Sequence, residues 1–178
     1  MTATGFRWAL GAWLLTIYGT LGVVRFVVDE LRARGWLVLS VASLFVAAAA
    51  VAAVAVAKRA ARPWRAAVAL ALVAFVYAAL LSTMQSPEER AHLFEYGLVA
   101  LLAFGAFPAQ PSWRRYAIAA SFTAAVGWLD EGIQALLPTR YYDLRDVGFN
   151  ALAGALACAA HYVVMRSSAA SSSGVAGS

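Results

Sequence analysis

The sequence predicts an all-α fold, a polytopic membrane bundle of six transmembrane helices, and three observations lead there. Hydrophobic residues make up 63% of the 178 positions and charged residues only 13%, about half the charged share of a soluble domain. Mean hydropathy is +0.73, so polar side chains are too few to cover a water-exposed globule. Six stretches approach the roughly 20 apolar residues that a helix needs to cross about 30 Å of hydrocarbon. These properties exclude a soluble cytoplasmic enzyme, a disordered chain and a disulfide scaffold.

The first stretch, 8–28, is interrupted late by Arg25. It is too long for a signal-peptide core and has no small-x-small cleavage site, so it reads as a retained helix. Next come 36–57 and 66–84, with no charge in 41–57 or 66–84. The fourth, 92–107, is short and ends at Pro108 and Pro111. The last two, 116–137 and 147–165, carry polar residues near one end. Each must be helical, because lipid offers no partner to unpaired peptide groups. Residues 1–166 form one domain, with its motifs in 87–165, and the Ser/Ala/Gly-rich 167–178 predicts a disordered tail. Cys158 has no second cysteine to pair with.

Charge sets the expected orientation. With six spans, one surface takes Arg7, Lys58, Arg59, Arg62, Arg65, Arg114, Arg115 and Arg166 and no carboxylate. The other takes Arg25, Arg32, Arg34, Arg90, Arg140 and Arg145 together with all nine acidic residues. The positive-inside rule counts Lys and Arg, so both termini are expected in the cytoplasm of a bacterial inner membrane. The net charge of +5 is then a topology signal. No basic stripe with interleaved aromatics points to nucleic acid. Membrane lipids are the expected surroundings.

The one-sided carboxylates fall into three clusters. The first is Ser86-Pro-Glu88-Glu89-Arg90-Ala-His92-Leu-Phe-Glu95-Tyr96. Capping and the positive helix N-terminus account for Glu88 and Glu89. His92, Glu95 and Tyr96, at spacings of three and four, share one helix face. The second cluster is Asp130-Glu131-Gly-Ile-Gln134. Glu131 and Gln134 are neighbours about 22 Å along the fifth span, in its outer third. The third runs from Pro138-Thr-Arg140 through Asp143 and Asp146 to Asn150, and Gly154 continues that stripe.

Singly, each of these residues can be interhelical glue. Glu131 can pair with Arg140, Asp146 with Arg140 or Arg145, and Asn150 and Gln134 can bond between helices. Together, at one depth on one side, they form a candidate ligand site of His92, Glu95, Tyr96, Glu131, Gln134, Arg140, Asp143, Asp146 and Asn150. Intramembrane ionisable residues are expensive and therefore functional by default. His161, deep in the last span, reads as a core residue.

In order and spacing, His92-Leu-Phe-Glu95-Tyr96, Glu131-Gly-Ile-Gln134, Pro138-Thr-Arg140, Asp143 and Asp146, Asn150 and Gly154 resemble the motifs of the VanZ-like family of small bacterial membrane proteins. The resemblance covers 87–154. The first three spans match only in being hydrophobic, and the family's basic residue before the His-x-x-x-Tyr stretch stands here as Arg90, next to Glu89. The resemblance implies an integral protein of the bacterial envelope, in a family whose founding member is associated with lowered susceptibility to teicoplanin-type lipoglycopeptides.

Two functions remain. A polar cup open to the outer leaflet can bind or modulate an amphiphile: a lipid head group, a lipid-linked cell-wall precursor or a lipoglycopeptide antibiotic. Arg140 would meet an anionic group and Glu131 a cationic or hydroxylated one. Alternatively, a membrane-embedded enzyme would use His92, Glu95, Glu131 and Asp146 for acid–base chemistry. The chain has no Ser-His-Asp arrangement, no cysteine beside a base and no phosphatase-like signature, which favours binding. The His92-x-x-Glu95 spacing is too common to assign a metal, and no cofactor is expected.

Overall fold

The structure is a computed structural model and describes residues 2–59, 63–84, 87–108, 112–137 and 142–172. These form seven helices and no strand: α1 (Ala3–Thr20), α2 (Val24–Ala33), α3 (Leu37–Arg59), α4 (Pro63–Thr83), α5 (Pro87–Ala106), α6 (Ser112–Gln134) and α7 (Leu144–Ser172). By length and composition three of them, not six, can cross a membrane: Leu37–Ala55, Trp64–Thr83 and Leu144–Arg166.

The first predicted span is two helices. Gly19, Thr20 and Gly22 weaken it, because glycine costs backbone entropy and the Thr20 hydroxyl donates back to the carbonyls of Thr16 (2.7 Å) and Ile17 (3.2 Å). α2 then runs as a separate amphipathic piece, with Arg32–Asp29 (2.9 Å) and Arg34–Glu30 (2.6 Å) ion pairs along it. It ends in a Schellman motif. Gly35 takes φ +72°, its N–H donates to the Arg32 carbonyl, and the Trp36 N–H donates to the Leu31 carbonyl. At the other end of the chain, α7 stays helical to Ser172, six residues into the predicted tail; 173–178 lie outside the described residues.

α5 is the hub. Leu93, Tyr96, Val99, Ala100, Ala103 and Ala106 are all buried, and the helix packs on α1, α6 and α7. Small residues let the neighbours come close. A β-carbon at Gly105 would enter the Phe6 ring of α1, so that ring packs directly on the α5 backbone. α7 in turn packs on α3, α4, α5 and α6. Two arginines close the C-terminal end of α5, where carbonyls lack helical partners. Arg7 Nε donates to the Ala106 carbonyl (3.1 Å) and Arg115 Nε to the Phe104 carbonyl (2.6 Å).

The burial pattern is inverted relative to a water-soluble globule. Asp130, Glu131, Gln134 and Asn150 are at most 3% exposed, whereas Leu39, Phe75 and Trp8 are more than 70% exposed. An apolar exterior around a polar interior is compatible with a membrane protein.

Candidate functional site

The buried polar residues gather at one end of the bundle, where α5 and α7 begin and α6 ends. α6 and α7 meet through a ladder of small against polar residues. A β-carbon at Gly127 would lie 2.6 Å from the Asn150 Cβ, and one at Gly154 would lie 2.8 Å from the Thr123 Cγ2. The four-residue spacing of Thr123–Gly127 on α6 matches that of Asn150–Gly154 on α7. The helices are therefore antiparallel and in register, and the next rung places Glu131 beside Asp146, within charge-interaction range.

Gln134 organises the carboxylates of its own helix. Its Nε2 donates to Asp130 Oδ2 (3.2 Å) and to Glu131 Oε1 (3.1 Å). The other Glu131 oxygen, Oε2, accepts from the Asp143 N–H (3.3 Å) and so ties the start of α7 to α6. Asp143 itself is exposed, and its Oδ1 accepts from the Arg145 N–H (2.8 Å). That is the geometry of an N-cap for α7. Its carboxylate thus caps the start of α7 at the rim of the cluster, on the stripe where the sequence suggests a ligand contact.

His92 of α5 stands among the acids. Its ring lies within charge-interaction range of Glu95, Asp130, Glu131 and Asp146. Its Nδ1 is 3.5 Å from Glu95 Oε2, an ion-pair distance without hydrogen-bond geometry. Tyr96 stacks beside it, with ring centroids 6.2 Å apart, and its hydroxyl lies next to the Asp130 carboxylate. Tyr96 Oη and Asp130 Oδ1 nevertheless lack an aligned hydrogen bond, as do His92 Nδ1 and both amide atoms of Asn150. In native proteins such buried groups are completed by water, an ion or a ligand.

The structure therefore brings together His92, Glu95, Tyr96, Glu131, Gln134, Asp146 and Asn150 from three helices. Arg140, the expected anion partner, lies outside the described residues. Sequence reasoning missed Asp130, which is fully buried and shares Gln134 with Glu131. Its signal was available, since Asp130–Gln134 has the helical spacing of four. Tyr18 of α1 was also missed. Its hydroxyl donates to the Val126 carbonyl (3.0 Å), and it comes within charge-interaction range of Asp130 and Tyr96. Only the packing of α1 reveals that contribution.

His161 lies at the opposite end, where its Nδ1 meets the Tyr116 hydroxyl at 3.0 Å and its ring packs on Phe104. It is separate from the acidic cluster. Among the described residues no group of three or more His, Cys, Asp or Glu is arranged to hold a metal ion. What the cluster can do chemically is accept hydrogen bonds from a donor-rich group and move a proton between His92 and its neighbouring carboxylates. Compared with family models, curated proteins and solved structures, the chain matches none.

Proposed function

We propose that this chain is a six-span, VanZ-like protein of the bacterial inner membrane that binds or modulates an amphiphilic envelope ligand at an outward-facing polar site. α1, α5 and α6 would join the three apolar helices as spans, with α2 lying at the outer interface and both termini in the cytoplasm. Their charges support that reading. In α6 the carboxylates of Asp130 and Glu131 are buried inside the bundle, which lowers average hydropathy without putting charge against lipid.

One observation carries the binding assignment. Buried polar atoms of His92, Tyr96, Asp130 and Asn150, contributed by three helices, converge on one end and lack aligned partners. Stabilising helix pairs alone would not leave both amide atoms of a buried Asn150 unpartnered, since such groups cost about 1–3 kcal/mol each. An acid-rich cup with one histidine suits a head group rich in hydroxyl or ammonium donors, as on a lipid-linked cell-wall precursor or a lipoglycopeptide such as teicoplanin.

The test is direct titration of the purified protein with a teicoplanin-type lipoglycopeptide and with a lipid-linked wall precursor. Glu131→Gln, Asn150→Ala and Arg140→Ala should each weaken binding of the recognised ligand at least tenfold, about 1.4 kcal/mol. Binding unchanged in all three removes the reading. A second reading, an enzyme acting on a lipid-linked substrate, is favoured by the position of His92 among four carboxylates. It requires turnover that His92→Gln abolishes while binding persists.

A further inference from the structure

The other flank of α5 carries a second, independent feature. Arg90 precedes His92 by two residues, about 200° around the helix, and so faces away from the acidic cluster. It lines a cavity of about 230 Å³ between helices, together with Val38, Val41, Ala42 and Phe45 of α3 and Leu81 of α4. Among the described residues of that lining Arg90 is the only charged one.

Its guanidinium is incompletely satisfied. One terminal nitrogen donates to the Met84 carbonyl (3.2 Å), while Nε is buried without a hydrogen-bond partner. Among the described residues no carboxylate forms an ion pair with it. A guanidinium stays charged at every physiological pH, and a charge in apolar surroundings calls for a counter-charge. Apolar walls with Arg90 as the cation among the described lining residues match a hydrocarbon tail beneath an anionic head.

We propose that this groove seats one anionic phospholipid, with its phosphate on Arg90 and an acyl chain against Val41, Ala42 and Phe45. The proposal rests on the membrane reading above but not on the ligand of the acidic cluster. It gives the bundle a fixed lipid at the same end as that cluster, separated from it by the thickness of α5.

The experiment places the full chain in bilayer discs of equal parts phosphatidylglycerol and phosphatidylcholine and counts co-released lipids by native mass spectrometry. The wild type should retain a single lipid with about a fivefold preference for phosphatidylglycerol, the factor expected from one basic residue near an anionic head. Arg90→Gln should abolish the preference, and Arg90→Lys should keep part of it. Ala42→Trp, which fills the groove, should lower retention of both lipids. Equal retention by the wild type, or a preference that survives Arg90→Gln, overturns the proposal while leaving the membrane reading intact. Failure of the chain to enter the discs removes both.

Discussion

Asn150 of α7 lies directly against Gly127 of α6, with room at 127 for a hydrogen and nothing larger. That single contact fixes the spacing of the two helices whose ends carry most of the acidic cluster. Gly127→Ala should push them apart and destabilise the protein by about 1–3 kcal/mol, the usual range for overpacking a close-fitted site. Thermal unfolding in detergent reads the loss. An unchanged midpoint would mean that the helices separate there without cost.

The lower rung offers a rescue test. Gly154→Ala brings a new methyl to 2.8 Å from the Thr123 Cγ2 and 3.0 Å from its Cβ. Thr123→Ser deletes the nearer of those atoms and keeps the hydroxyl that donates to the Ala119 carbonyl (2.8 Å). The double variant should therefore unfold at a higher temperature than Gly154→Ala alone, a non-additivity of about 0.5 kcal/mol or more.

Gln134 bridges two buried carboxylates of its own helix. Gln134→Leu leaves Asp130 Oδ2 and Glu131 Oε1 without that donor and should cost about 2 kcal/mol or more. Gln134→Asn, with the amide one methylene shorter, should not recover it. Chemical denaturation compares the two with wild type.

Arg115 ends α5 twice over: its Nε donates to the Phe104 carbonyl and its guanidinium sits 4.1 Å above the Phe104 ring. Arg115→Ala should lower stability by about 1–2 kcal/mol. Arg114, exposed and stacked on its neighbour Trp113, should change it by no more than about 0.5 kcal/mol when replaced by alanine.

Orientation is open to labelling. In a Cys158→Ala background, Glu30→Cys should react with a membrane-impermeant maleimide in intact cells, and Lys58→Cys only after permeabilisation. The reverse pattern would invert the proposed topology.

How far the sequence carries can be followed residue by residue. The helical spacing of His92, Glu95 and Tyr96, and of Glu131 and Gln134, is local information, and all five residues do come to one end. Asp130 escaped because its neighbour Glu131 already satisfied the pattern, although both carboxylates reach the same glutamine. Gly127 and Tyr18 were beyond reach for a different reason. Their roles depend on which helix lies opposite, and no spacing within one helix encodes that. The break after Thr20 was hidden by the Val-Val-Arg-Phe-Val-Val run, whose hydropathy continues while the backbone turns. Asp143 shows a second role that spacing alone does not announce: a carboxylate on the expected stripe also caps α7.

The enclosure of α5 by helices made both before and after it has a consequence for biogenesis. On the proposed topology, a nascent chain stopped at Ala106 would carry Glu89, Arg90, His92 and Glu95 in a segment whose shelter, α6 and α7, does not yet exist. Such a segment partitions poorly into lipid by itself. Its stable integration must then wait for the translation of the C-terminal third, so truncations there would strand the hub of the bundle, and with it the histidine at the centre of the acids.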